Sequence, residues 1–359
     1  MSNILVIAEI GVNHNGDEAL ARELIDVAAN AGADIVKFQT FKADLLVTER
    51  AEKANYQNRN DGSTGSQSDM LKKLELNRGS FRRLCDYCVT KNIKFMSTAF
   101  DLSSASFLVN ELGQNILKIP SGEIVNGPYL LEHARFKKKI ILSTGMATLG
   151  EIEEALAIIA FGLMGEEGKK PGRDSFLSAY MSKAGQALLK ENVSLLHCTT
   201  EYPTPFQDAN LKCIQTLAST FGLVTGFSDH TEGIAAPLAA VALGASIIEK
   251  HFTMDKNLVG PDHRASLDPS ELAAMVTGIR DIEAALGDGI KIPTPSEKKN
   301  IIAVRQSLVA IKNIDVGEYF TIENIGTRRP GSGLNPSLYW DLLGKKVTRG
   351  FEKYDEIRL

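Results

Sequence analysis

Two short apolar runs each end in a histidine beside an acid: Phe227-Ser228-Asp229-His230-Thr231 and, further on, Ile248-Glu249-Lys250-His251-Phe252. Runs of this length, bounded by turn signals, read as buried parallel strands. The Ala-rich stretch between them, 234–243, reads as a helix. Strand, helix, strand puts both histidines at the carboxyl ends of neighbouring parallel strands, where a barrel of such units keeps its chemistry. Two neutral imidazoles converging there can hold a divalent metal, with Asp229 or Glu249 as a ligand or orienting partner. Two satisfied structural histidines are the plainer alternative. Their pairing at equivalent strand ends favours the metal.

The other strand ends add charge. The strand at 4–10 offers Glu9, and 35–38 offers Lys37 with Gln39 just beyond. The strand at 93–97 offers Ser97 and Thr98, and 116–119 offers Lys118, followed by Ser121 and Glu123. Ser143 and Thr144 follow 140–142, and His197, Thr199 and Tyr202 lie at or after the end of 193–197. Ser228 belongs to the first histidine run. Lys37 and Lys118 sit inside apolar runs, Ile35-Val36-Lys37-Phe38 and Leu117-Lys118-Ile119. Lysines are rarely fully buried without a partner, so each needs an anion. Glu9 and Glu123 are the internal choices. The other choice is a ligand, because the hydroxyls and N–H groups of Ser121-Gly122 and Ser143-Thr144-Gly145 suit phosphate oxygens. Together these groups point to a small acidic phosphate ester.

Positioning so many strand ends takes a repeating frame. Strand and helix alternate about eight times over roughly the first 285 residues, the signature of an α/β (β/α)8 TIM barrel. Two stretches break the rhythm. Residues 41–67 are polar and rich in Gly, Asn and Ser, a loop of functional length. Residues 162–192 read as a surface insertion with a helix over 176–190. The barrel is expected over 1–286, a Gly/Pro/Ser/Lys-rich linker over 287–302, and a small domain of short strands and turns over 303–359. A domain that small should lean on a partner.

The 359-residue chain carries a net charge of -4 and 43% hydrophobic residues, as ordinary globular proteins do. No basic stripe argues for nucleic acid, and no apolar run for a membrane. Cys85 and Cys88 form a C-x-x-C in mid-helix with no second pair, so no redox or zinc chemistry is expected there. Cys198 and Cys213 read as buried thiols. The chain enters a strand directly, without a leader, which fits a reducing cytoplasm.

The motifs, taken in order, resemble the nonulosonic (sialic) acid synthases. They are Ala8-Glu9-Ile10-Gly11-Val12-Asn13-His14-Asn15-Gly16, Val36-Lys37-Phe38-Gln39-Thr40, Lys118-Ile119-Pro120-Ser121-Gly122-Glu123 and Ile141-Leu142-Ser143-Thr144-Gly145-Met146. His197-Cys198-Thr199, Tyr202-Pro203-Thr204-Pro205, the two histidine runs and Gly260-Pro261-Asp262 continue the pattern. The tail, with Arg328-Arg329-Pro330-Gly331-Ser332-Gly333, resembles that family's antifreeze-like (SAF) domain. Within the family, Thr199-Thr200-Glu201-Tyr202-Pro203, the segment 70–76 and the segment 251–257 resemble the N,N'-diacetyllegionaminate synthases most. N-acetylneuraminate synthases typically carry Asn where this chain has Thr200.

The resemblance implies condensation of phosphoenolpyruvate with a 2-acetamido-mannose-type sugar and release of phosphate. The acceptor it favours is 2,4-diacetamido-2,4,6-trideoxymannose, with N-acetylmannosamine as the alternative. A non-catalytic carbohydrate-binding protein is the alternative of another class. Lys37, Thr98, Lys118, Ser121, Ser143 and Ser228 match phosphoenolpyruvate contacts. His230 and His251 match ligands of Mn2+ or Mg2+, which supplies Lewis-acid polarisation of the aldehyde oxygen. Glu9 matches an acid/base carboxylate. Gln39, Thr200, Tyr202 and Asp262 match sugar contacts, with Glu123, Asp229 and Glu249 behind the reacting groups. Arg329 matches an arginine that enters the partner subunit's barrel, which implies a domain-swapped homodimer.

Overall fold

The computed structural model describes residues 4–54, 57–58, 65–165 and 168–358. They form two compact units, one ending at Gly287 and one beginning at Asp288. In the first, β1 (Leu5–Gly11), β2 (Ile35–Thr40), β3 (Lys94–Ala99), β4 (Ile116–Ile119), β5 (Lys139–Ser143), β6 (Val193–Cys198), β7 (Val224–Asp229) and β8 (Ile247–His251) close a parallel barrel in sequence order. The expected (β/α)8 barrel is therefore present.

Side chains alternate along each strand, and this sorts the barrel into layers. Ile7, Ile35, Met96, Ile141, Leu196 and Ile247 pack together inside it, with Leu5 and Ile116 against them. At that level β7 supplies Gly226, whose Cβ would lie 2.4 Å from the Ile247 carbonyl oxygen, so only glycine fits. Two residues further along each strand, the same inward face carries Glu9, Lys37, Thr98, Lys118, Ser143, Cys198, Ser228 and Glu249. The apolar plug is thus the floor of a polar ring. The outward faces of the strands, with Val6, Ala8, Val36, Phe38, Leu117, Ile119 and Leu195 among them, pack against the helices in two larger buried clusters.

Polar caps set where the helices after the strands begin. Asp17, Asp101 and Asn126 accept from backbone N–H groups of the first turn, and Thr148 and Asp268 form capping boxes with Glu151 and Glu271. Each such cap is worth about 1 kcal/mol. The insertion at 162–192 differs from the single helix expected. It holds two helices, Arg173–Met181 and Lys183–Asn192, because Ser182 leaves helical geometry and its hydroxyl caps the second helix at Gly185. Phe176 packs edge-on to Phe161 and fastens the pair to helix Leu149–Met164. In the loop after β2, the helix Gln67–Leu74 was not anticipated. Its Ser66-x-x-Asp69 capping box was the available signal.

The second unit carries an antiparallel pair, β9 (Ser307–Ala310) and β10 (Ile325–Arg328). Its own small core holds Leu308, Ile314, Phe320, Val347, Phe351 and Ile357. Among the described residues no helix is long and apolar enough to cross a membrane.

One buried histidine makes the barrel acid-sensitive. His133 is 0% exposed, its ring stacks on Tyr129, and its Nδ1 donates to the Tyr129 carbonyl at 2.9 Å. Burial lowers its pKa from 6.5 to about 4. A depressed folded pKa contributes stability that is present above 6.5 and lost as pH falls through 4, amounting to about 3 kcal/mol. Urea unfolding of His133→Leu should therefore lose less stability between pH 7 and pH 4.5 than the wild type does. Equal losses would clear His133 of that role.

Candidate active site

Four charged side chains from the ring meet on the barrel axis. Lys37 Nζ lies 2.7 Å from Glu9 Oε2 and 3.6 Å from Glu249 Oε2. Lys118 Nζ lies 3.4 Å from Glu249 Oε1. Thr98 Oγ1 stands 3.0 Å from Lys37 Nζ, and Ser228 Oγ donates to Glu249 Oε1 at 2.9 Å. All four charged groups are at least 95% buried. The expected pairing of Lys37 with Glu9 is present. The pairing of Lys118 with Glu123 is not: Glu123 accepts from Asn126 Nδ2 at 2.6 Å, and Glu249 takes its place. The reason is geometric, since Glu123 lies in a 3-10 turn beyond β4 whereas Glu249 faces inward at the level of Lys118.

Burial raises Glu9 to about 7, with Lys37 opposing the rise and the nearby Glu249 adding to it. Burial also acts against the charge on Glu249, but Lys118 and Lys37 together hold it at about 2. Lys37 is drawn down by burial and driven up further by Glu249 and Glu9, ending above its ordinary value. Lys118 stays lowered by burial despite Glu249, and Lys37 adds to the effect. The cluster thus sets one firm carboxylate, Glu249, and one carboxyl with a raised pKa, Glu9, against two lysines. An anion bound beside Lys118 would favour its charged form against the burial that lowers it. Beside it the Ser143 hydroxyl is buried without a hydrogen-bond partner, and Ser121 Oγ accepts from Gly145 N at 2.9 Å.

The two histidines stand above the ring, their ring centroids 5.8 Å apart. His230 Nδ1 donates to the Thr199 carbonyl at 2.6 Å; burial acts against its charge, but the Cys198 thiol and the Thr199 carbonyl beside it hold this imidazole above its usual pKa. His251 Nδ1 is buried without a hydrogen-bond partner. Burial, then His230 and Lys37, hold this imidazole well below its usual pKa, so it is neutral and can bind a metal. Neither acid considered beside them serves them. Asp229 accepts from Lys250 Nζ at 2.5 Å and from Thr231 N at 2.8 Å, and Glu249 is committed to the lysines. Among the described residues no group of three or more His, Cys, Asp or Glu is arranged to hold an ion. The two imidazoles fit part of a coordination sphere that water and substrate oxygens would complete.

These groups open into a cavity of about 360 Å3 whose lining also includes Gln39, Thr200, Tyr202 and Asp262. Tyr202 packs 4.0 Å from His230, centroid to centroid. Burial raises Asp262 to about 6, against the pull of His230. Arg329 lies exposed in the second unit, directly after β10. His197, at a strand end, points away from the ring and bonds the Ala209 carbonyl at 2.7 Å through Nε2.

The NeuB family matches residues 24–291. A Campylobacter jejuni N,N'-diacetyllegionaminic acid synthase is 50% identical over 358 residues, covering 100% of both chains. The chain belongs to the NeuB family. A Legionella pneumophila N,N'-diacetyllegionaminic acid synthase is 45% identical over 96% of this chain and 90% of its own. Among solved structures, an N-acetylneuraminic acid synthetase from Leptospira borgpetersenii is similar, with 36% identity, a TM-score of 0.67 and coverage of 84% of this chain and 90% of its own.

The site of this NeuB-family chain has members that strand-end reasoning passed over. Cys198, read only as a buried thiol, lines the cavity with Sγ 3.5 Å from Ser121 Oγ. Its position two residues beyond the floor residue Leu196 was the signal. Phe41, Leu46, Met70, Leu71 and Leu74 form an apolar wall, hidden from a search for polar groups.

Glu249 and Ser143 should part company when mutated. Glu249→Gln leaves two buried ammonium groups with one carboxylate, and should destabilise the barrel by about 3–5 kcal/mol in denaturant unfolding. Ser143→Ala removes a buried hydroxyl with no partner and should not destabilise the barrel. An unfolding midpoint for Glu249→Gln equal to the wild type's would mean that the lysines do not depend on it.

Proposed function

We propose that this chain condenses phosphoenolpyruvate with 2,4-diacetamido-2,4,6-trideoxymannose, giving N,N'-diacetyllegionaminate and phosphate. The observation that carries the reading is the 50% identity, end to end, with a synthase of that product. Other members include pseudaminic acid synthases at 34% and human N-acetylneuraminate-9-phosphate synthase at 32%. The N-acetylneuraminate alternative is thus the more distant one, and a non-catalytic sugar-binding role finds no counterpart among these synthases.

Lys37, Lys118 and the Ser121, Ser143 and Ser228 hydroxyls, with Thr98 orienting Lys37, receive the phosphate and carboxylate of phosphoenolpyruvate. His230 and His251 would hold Mn2+ or Mg2+, which would supply Lewis-acid polarisation of the open-chain aldehyde. C3 of phosphoenolpyruvate forms the new bond to the aldehyde carbon, whose oxygen takes a proton and becomes a hydroxyl. Water adds to C2 and gives up one proton; the C–O bond to phosphate then breaks, and the remaining proton of the C2 hydroxyl leaves with the phosphate to give the ketone. Glu9, with its raised pKa, suits the proton taken from that water. Gln39, Thr200, Tyr202 and Asp262 surround the sugar. Glu249 holds the two lysines in place, and Asp229 supports the β7 turn. The biosynthetic role of these relatives supports a cytoplasmic location.

The second unit is read as an antifreeze-like (SAF) domain that places Arg329 in the sugar site of a second subunit. A guanidinium suits an acetamido carbonyl, and a domain this small gains its persistence from a swapped homodimer.

Phosphate release with this acceptor should exceed that with N-acetylmannosamine. For Glu9 as base, log kcat/KM should fall with unit slope as pH drops below about 7. Glu9→Gln should lower the rate at least about a hundredfold and flatten that limb. A limb that persists in Glu9→Gln would assign it to another group. The swapped arrangement has its own check. Glu9→Ala mixed with Arg329→Ala, after subunit exchange, should regain activity, because one barrel of the mixed dimer then carries both defects and the other none. Full exchange without recovery would place Arg329 over its own barrel.

A further inference from the structure

The cavity is two-sided. The ring and the histidines make one side. The other is apolar and comes from the segment after β2 and the helix Gln67–Leu74. That helix turns Met70, Leu71 and Leu74 inward and leaves Asp69, Lys72 and Lys73 exposed. Met70 and Leu74 are at most 7% exposed, and Leu46 and Leu71 pack on them beside Phe41 and Phe100. A small apolar cluster beneath a long loop is common. These side chains, however, line the same cavity as the two lysines and the two histidines. Two side-chain amides interrupt the wall: Gln67 Nε2 donates to Gln57 Oε1 at 3.3 Å, and Gln57 Oε1 also accepts from Ala54 N at 2.9 Å.

We infer that this wall selects the acceptor sugar by its methyl groups, with Leu46, Val47, Met70, Leu71 and Leu74 receiving the C6 methyl and the acetyl methyls of a 6-deoxy diacetamido sugar. The inference rests on the condensation proposed above and adds which part of the cavity reads the acceptor. A methyl placed on apolar side chains leaves water at a gain, whereas a hydroxyl placed there loses its water without a partner. Gln57 and Gln67 offer an amide donor and acceptor, the complement of an acetamido group. One methyl-sized difference in such a pocket is worth roughly 10–200-fold in kcat/KM.

The test uses the full-length protein with phosphoenolpyruvate, Mn2+ and three acceptors: the 2,4-diacetamido-2,4,6-trideoxy sugar, its 6-hydroxy analogue and N-acetylmannosamine. The wild type should favour the 6-deoxy sugar over the 6-hydroxy analogue by at least about tenfold in kcat/KM. Val47→Thr, nearly isosteric, and Leu71→Gln, at a half-buried position, should each narrow that preference at least about threefold while leaving the KM for phosphoenolpyruvate within a factor of about two. Equal kcat/KM for the 6-deoxy and 6-hydroxy sugars in the wild type would overturn the assignment, whatever the variants do. So would an unchanged preference in both folded variants. Turnover of none of the three acceptors would overturn the condensation reading itself, and the inference with it. Turnover of all three without a methyl preference would overturn the wall alone.

Discussion

Two lysines and two glutamates share one buried space on the barrel axis, and much of the molecule follows from keeping them there. Each ion taken from water costs several kcal/mol after relaxation. Glu249 offsets that cost twice, because one carboxylate faces both Lys37 and Lys118. Glu9 then becomes the group that gives way. With Lys37 already shared, its charged form is the least supported, and its pKa rises to about 7. A structural need, neutralising two buried lysines with few carboxylates, thus leaves a proton acceptor poised near neutrality. The same balance leaves Lys118 short of negative charge, which is the condition for drawing an anion to the serines beside it.

The cluster can be buried only because the barrel is packed beneath it. The isoleucine and leucine layer closes the floor to water, and the outward strand faces join the helices in cores that hold the strands at fixed register. Period-two alternation then does the placing. Any inward floor residue predicts an inward site residue two positions on: Ile7 predicts Glu9, Ile35 predicts Lys37, Ile141 predicts Ser143 and Leu196 predicts Cys198.

That rule explains what was legible in the sequence. The strands were readable as apolar runs, and so were the polar residues ending them, which gave the barrel, both lysines, Glu9 and the two histidines. Three things were not readable. The partner of Lys118 depends on which strands face each other across the barrel, so Glu249 could not be told from Glu123 by spacing. Cys198 belongs to no charged residue type and has no periodic signal apart from its register with Leu196. The apolar wall lies on a loop and a short helix whose hydrophobic residues look like ordinary core until the cavity beside them is known. The insertion was seen as an interruption, but its division into two helices turned on Ser182 alone.

The histidines depend on a second ion pair that never faces the cavity. Alternation sends Ser228 and Glu249 inward, so Asp229 and Lys250 must point to the outer side of the same two strands. There Lys250 Nζ meets Asp229 Oδ2 at 2.5 Å and the Thr231 carbonyl at 2.6 Å, with both side chains 0% exposed. The two bonds from Lys250 thus tie β8 to the end of β7 and to the turn after it, and the bond from Thr231 N to Asp229 Oδ1 closes that turn on itself. His230 lies between Asp229 and Thr231, and His251 follows Lys250, so each histidine backbone is clamped by its neighbour's outward contacts. A surface ion pair would leave that turn free to breathe, whereas a buried one that also satisfies a carbonyl has only this arrangement open to it. The precision that two imidazoles would need to share an ion is thereby set by residues whose side chains face the other way.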